Sequence, residues 1–177
     1  MRNLYRPTFV FAGVEVRPME PRDDIAFRAL YAEVREPELR LTGWSAAEKQ
    51  AFCDSQYGLQ DQHYRCHYAE FEPWAICFDG SVIGRLYFAA VEDMLALMDI
   101  AIAAEHRNKG IGTALLQDLL GHADRQKRAV RLYVEPDNPA LRLYRRLGFV
   151  EFGEAGAVYR EMRRQPPAID ERSFTEI

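Results

Sequence analysis

Between residues 74 and 103, apolar and β-forming residues come in three runs separated by short polar pairs. Runs 74–78, 82–91 and 94–103 predict a three-strand meander that turns at Asp79-Gly80 and again at Glu92-Asp93. Alternation in the third run places Asp99, Ala101 and Ala103 on one side, with Met98, Ile100 and Ile102 on the other. The period then lengthens. Ile111, Ala114, Leu115, Leu119 and Ala123 recur every three to four residues and predict a helix over 110–125 with one apolar face. A strand over 130–134 follows. Asn138 as N-cap, Pro139 in the first turn and Gly148 as C-cap bracket a short helix, and 150–152 with 157–162 predict a closing hairpin. Ahead of the meander, 14–17 predicts a strand. Asp23 or Asp24 caps a helix that runs to Glu36 and is stopped by Pro37. Ser45 with Glu48 forms a capping-box pattern that opens a second helix, and 58–68 shows no clear pattern. The order is α+β with a βαβ crossover in the C-terminal half, where a ligand is expected.

Composition narrows the classes. The chain has 177 residues, 48% of them hydrophobic and 28% charged, enough for one domain with a core that needs no disulfide or metal staple. That domain is expected over 14–164, after an N-terminal extension (1–13) and before a flexible tail (165–177) that starts near Pro166 and Pro167. The formal charge of −4 gives no basis for a broad cationic face, so nucleic acid is not an expected partner. Cys53, Cys66 and Cys77 make an odd count without a CxxC pair and point to a reduced, cytoplasmic protein. The apolar patch from Phe9 to Val14 is too short for a signal peptide, and run 94–104 is broken by Asp99, so no membrane span is expected. His63, Cys66 and His67 lie close in sequence but lack a fourth ligand, and no metal is expected.

The candidate chemistry lies in two blocks. The first is Arg107-Asn108-Lys109-Gly110-Ile111-Gly112-Thr113, between a strand and an amphipathic helix. Two glycines one residue apart let the backbone approach a ligand, and the free N–H groups of a helix N-terminus favour an anion. The same glycines would also serve a tight strand–helix turn. A Walker A loop would need Gly-Lys followed by Ser or Thr, and a dinucleotide fingerprint would need glycine where Leu115 stands, so neither motif fits. The second block, from Leu132 to Phe149, contains Asn138, Pro139, Ala140, Leu143-Tyr144 and Gly148-Phe149.

Together the two blocks resemble the GNAT superfamily of N-acetyltransferases, and the likeness extends from about Val14 to Met162. The first block is similar to the superfamily's pyrophosphate-binding pattern. The second resembles its Asn, Ala, Leu-Tyr and Gly-Phe block, although the commoner Asn-to-Tyr spacing would fall on Asp137. The resemblance implies a three-layer α/β/α fold, with a mixed, mostly antiparallel sheet and a splayed parallel strand pair. It also implies an acetyl-CoA co-substrate, with backbone groups of Ile100, Ala101 and Ile102 along the pantetheine arm. The residues from Arg107 and Asn108 through Lys109, Gly110, Ile111 and Gly112 to Thr113 would hold the pyrophosphate, and Asn138 would sit near the splay.

What the resemblance implies about catalysis centres on Tyr144 as general acid towards the departing thiolate. The alternative for Tyr144 is a core aromatic beside Ala140 and Leu147. Asp99 and Glu135 are the candidate bases, against a hydrogen bond to a neighbouring loop and a solvated strand end respectively. An amine acceptor, small molecule or protein N-terminus, would be walled by the first two helices and the last hairpin. Trp44, Phe52, Tyr57, Tyr64 and Tyr68 with several acids suit a cation there, or simply describe a helix packed on a sheet. The expected function is acetyl transfer to a primary amine by direct attack in a ternary complex. A catalytically silent acyl-CoA sensor or partner-binding module on the same fold is the alternative, and a homodimer is within the expectation.

Overall fold

The computed structural model describes residues 7, 9, 11, 13–68, 71–153 and 158–168. Strand β1 (Val14–Pro18) leads through a 3-10 turn into helix α1 (Asp24–Leu39), and α2 (Ala46–His67) follows. The meander β2 (Glu72–Phe78), β3 (Ser81–Val91) and β4 (Met94–Ile102) comes next. Helix α3 (Ile111–Arg125) crosses over to β5 (Ala129–Val134). Helix α4 (Leu141–Arg146), β6 (Val150–Glu151) and β7 (Arg160–Arg164) complete the domain. The strands form one sheet in the order β1-β2-β3-β4-β5-β7-β6, in which only β4 and β5 run parallel.

Alternation along the strands builds a core on each face of this sheet. Trp74, Ile76, Leu86, Leu95, Val130 and Leu132 meet Leu115, Leu116 and Leu119 of α3. The intervening Ala75, Cys77 and Tyr87 meet Phe27 and Tyr31 of α1 and Cys53 and Tyr57 of α2. The result is the expected three layers, helices on both faces of a mixed sheet. The Ser45–Glu48 capping box is present, and α2 continues without a break through Gly58. Phe9, in the expected extension, joins the core on the α3 face.

Three local expectations need correction. Pro37 does not stop α1. It lies one turn from the end, so its missing N–H costs a single intrahelical bond, and burial of Leu39 carries the helix past it with Arg40 N donating to Glu36 O (2.8 Å). Asn138 does not cap α4, whose N-cap is Ala140. Asn138 instead shapes the preceding turn, where its Oδ1 accepts from Ala140 N (2.8 Å) and its carbonyl accepts from Leu141 N. Met98 does not share a face with Ile100 and Ile102, because it packs with the tyrosine-rich cluster on the opposite side. The cause is a register shift. Tyr87 pairs with Asp99 but Phe88 with Leu97, which leaves Met98 as the extra residue of a β-bulge.

The bulge coincides with the end of the parallel pairing. β4 and β5 are joined from Met94–Ala129 to Leu97–Leu132 and no further. Beyond that point the two strands splay, while β4 stays paired with β3 as far as Gly84–Ile102. That pairing needs a glycine. A Cβ on Gly84 would lie 2.6 Å from the Ala101 carbonyl oxygen and 3.0 Å from Ile76 Cδ1. Gly84→Ala should therefore cost about 1–3 kcal/mol by overpacking. Gly58→Ala, whose Cβ would meet nothing within 4 Å inside α2, should instead gain about 0.5–1 kcal/mol. Urea denaturation of both variants checks the contrast in sign.

Candidate active site

Two cavities open on the splay. The first, of about 580 Å³, lies between α3 and α4 and is lined by Ile100, Ile102, Asn108, Gly110–Thr113, Asn138 and Tyr144. The second, of about 360 Å³, lies between the sheet and the first two helices, with Met98, Asp99, Glu135 and Asn138 in its wall. Asn138 belongs to both.

The loop between β4 and α3 is built to present amides. Gly110, the N-cap of α3, holds a left-handed φ of +83°, a conformation glycine adopts without strain, and Asn108 holds +59°. The first intrahelical bond is Ala114 N to Gly110 O (3.0 Å), so the N–H groups of Ile111, Gly112 and Thr113 have no partner in the helix. No side chain caps this end. A Cβ on Gly112 would come within 3.4 Å of Ile102 Cδ1, so its absence keeps the loop side of the cleft open. These groups and the helix dipole suit an anion.

Arg107 lines the same cleft and is also tied to protein acceptors. Its Nε donates to the Ile102 carbonyl (2.6 Å) and its Nη2 to Glu33 Oε1 of α1 (2.6 Å), and the same Glu33 oxygen accepts from Ala104 N (2.7 Å). A single carboxylate thus ties α1 to the amide-presenting loop. Ala103 N donates to Ile83 O (2.8 Å), and strand alternation turns the backbone groups of Ala101 towards β3 as well. The open side is left to Ile100 and to the Ile102 N–H. Ala101 and Lys109 do not line the cleft. Leu143 of the second block does, and so do His106, Leu116 and Arg146, which the motifs alone did not single out.

Tyr144 is 7% exposed and packs edge-on against Phe149 at 5.8 Å. Burial pushes its phenol up to about 12, and the nearby Asp99 charge adds to the effect. Asp99 is not the unpaired carboxylate its strand suggested. Its Oδ2 receives Arg85 Nε at 2.6 Å, and Arg85, 2% exposed, also donates to the Phe27 carbonyl (3.3 Å). Burial opposes the charge on Arg85, but Asp99 outweighs it and holds the guanidinium above its ordinary pKa. Of the five aromatics expected at the acceptor site, Tyr64 and Tyr68 line the second cavity, and burial raises Tyr64 to about 12. Trp44 packs against Phe52 at 5.3 Å and Tyr57 lies in the core, all three away from the cavity. Tyr31, Tyr133 and Tyr159 take their places in its wall, with Arg35, Arg85 and Arg131 balancing Glu38, Asp99 and Glu135.

The pattern of the acetyltransferase (GNAT) family matches residues 20–149, well over half of the chain. The chain belongs to the GNAT family. Streptothricin acetyltransferase from Streptomyces lavendulae is 36% identical over 90 residues, which is 48% of this chain and 47% of that relative, so the match spans about half the relative's length. The fold is shared with the PaiA N-acetyltransferase of Thermoplasma acidophilum, solved with coenzyme A (TM-score 0.66, 16% identity, 86% of this chain and 98% of that one). It is shared too with a GNAT acetyltransferase of Elizabethkingia anophelis, solved with acetyl-CoA (TM-score 0.58, 16% identity, 88% and 99%). Among the described residues no helix is long and apolar enough to cross a membrane.

The Glu33 clamp gives a prediction specific to this GNAT chain. Glu33→Ala removes the charge-assisted bonds to Ala104 N and Arg107, so amide exchange over 104–108 should accelerate about ten- to a hundredfold, read by mass spectrometry. Unchanged exchange would mean that the loop holds itself.

Proposed function

We propose that this chain is an acetyl-CoA-dependent N-acetyltransferase for a primary amine, with acetyl-CoA in the α3–α4 cleft and the amine in the tyrosine-lined cavity. One observation carries the reading: the uncapped start of α3 and Tyr144 line one cleft, which shares Asn138 with the second cavity. Family membership and the streptothricin acetyltransferase match support acetyl transfer.

In this reading the N–H groups of residues 111–113 hold the pyrophosphate, and Ile100 with the Ile102 N–H accompanies the pantetheine arm as an added strand would. Arg107 acts by fixing the loop. Glu135, at the end of β5, takes the proton from the incoming ammonium directly or through water, and Asp99, oriented by Arg85, favours the cation beside it. The amine nitrogen bonds to the thioester carbonyl carbon and the C–S bond breaks while Tyr144 donates a hydrogen bond to the departing sulfur. The nitrogen's second proton passes through water to the thiolate, leaving the amide and the free thiol. With the phenol at about 12 and an ordinary thiol near 8.5, full proton transfer in the resting site would be uphill by roughly 5 kcal/mol. Donation that strengthens as negative charge builds on sulfur fits that mismatch better than transfer ahead of cleavage.

Tyr144→Phe keeps the ring against Phe149 and deletes the hydroxyl. Acetyl-CoA affinity should stay within a few-fold while kcat falls about a hundredfold, read by calorimetry and thiol release. Full activity would end the assignment. Gly112→Val, which places branched atoms in the cleft mouth, should weaken acetyl-CoA binding by about tenfold or more with the fold retained, and unchanged affinity would remove the pyrophosphate site from this loop. Binding of acetyl-CoA without thiol release across a broad amine panel would assign the chain to sensing instead.

A further inference from the structure

Asn138 alone among the described residues lines both cavities, and its hydrogen-bonding groups can be accounted for one by one. It stands in the turn after β5, across the splay from β4. Its N–H donates to the Glu135 carbonyl (3.1 Å) and its carbonyl accepts from Leu141 N (3.1 Å). In the side chain, Oδ1 accepts from Ala140 N (2.8 Å). A backbone N–H can only donate, so this bond fixes which end of the amide is the oxygen. What remains is Nδ2 with its two donors, which have no partner among the described residues. Asn138 is half-buried, and Nδ2 is not one of the polar atoms sealed from water, so a ligand can reach it. The turn therefore holds a pair of donors, already oriented, where the two cavities share a wall.

The reaction decides what such donors suit. In the acetyltransferase reading above, on which this inference rests, the thioester lies where the acetyl-CoA cleft meets the amine cavity, because nitrogen must reach the carbonyl carbon. The incoming ammonium is itself a donor and gains nothing from Nδ2. The acyl oxygen is an acceptor. As nitrogen bonds to carbon, the C=O π pair moves onto that oxygen, and it returns when the C–S bond breaks and sulfur leaves with its electron pair. A fixed donor gains most while the oxygen carries the full negative charge. We propose that Asn138 Nδ2 donates to the acyl oxygen and is a catalytic residue, with Tyr144 left to serve the sulfur. The turn by itself does not call for these donors, since a carboxylate accepts from Ala140 N equally well. The amide carbonyls of the pantetheine arm offer the same acceptor chemistry in the same cleft, and free CoA tells the two apart because it has those carbonyls and lacks the acyl oxygen.

Two variants test this. Asn138→Asp keeps an acceptor for Ala140 N, and with it the turn, but puts an anionic oxygen where the donors were. Asn138→Ala removes the donors and the turn bond together. With acetyl-CoA and the amine that the wild-type chain acetylates fastest, kcat for thiol release should fall about a hundredfold or more in both. Affinity for free CoA, read by calorimetry, should stay within a few-fold of wild type and shows at the same time that the variants are folded. The inference is overturned if kcat of Asn138→Asp falls by less than about tenfold, since only the turn would then matter. It is also overturned if that variant loses CoA affinity by about tenfold or more, which would give the donors to the pantetheine arm. The same two limits applied to Asn138→Ala decide the matter even where the Asp variant does not fold. If the wild-type chain releases no thiol with any amine of a broad panel, the acetyltransferase reading falls and takes this one with it; wild-type turnover that Asn138→Asp preserves removes this one alone.

Discussion

One extra residue in a strand organises this molecule. Met98 bulges out of the β3–β4 ladder at the level where β4 parts from β5, between the last parallel pair, Leu97–Leu132, and Asp99. The bulge reverses which side of the sheet later residues face, so Ile100 and Ile102 turn to the α3 side and Asp99 to the side of α1 and α2. It also leaves backbone groups of β4 without a strand to pair with. Such groups are stable only where water or a ligand reaches them, and both cavities open at that place.

The elements around the splay are held by ionic contacts that cross layers. Arg85 in β3 fixes Asp99 in β4 and reaches the Phe27 carbonyl in α1, so the bulged strand and the helix above it are bound through one buried guanidinium. Glu33, further along the same helix, receives both Ala104 N and Arg107. Helix α1 therefore borders one cavity and braces the loop of the other. Neither pair is a simple surface salt bridge, since each also satisfies or positions backbone groups.

The sequence made the meander legible because its turns need unusual backbone angles and carry residues that tolerate them: Asp79, Gly80 and Glu92 all have positive φ. The amphipathic face of α3 and the Gly110–Gly112 spacing were legible for the same kind of reason, a local pattern with a local cause. The bulge was not. Apart from Asp99, residues of β4 on both faces are apolar, so alternation alone could not reveal that its phase changes at Met98. The partner of Asp99 lies fourteen positions away, and only the shifted register brings Arg85 to it. The motif around Arg107 points to an anion, and it could not show the bond of Arg107 to a glutamate 74 positions earlier. The length of α2 was not legible either, because 58–68 shows no pattern and the helix runs on through a glycine that its interior tolerates.

The central claim is that the open edge of β4 and the start of α3 together form a binding surface for acetyl-CoA. Amide exchange measured with and without acetyl-CoA tests it most directly. The account predicts slowed exchange at Ile100, Ile102 and residues 111–113, with no change at Leu95 and Leu97, which lie within the stretch of β4 still paired with β5. Exchange at 100–102 and 111–113 that is indifferent to saturating acetyl-CoA would contradict it.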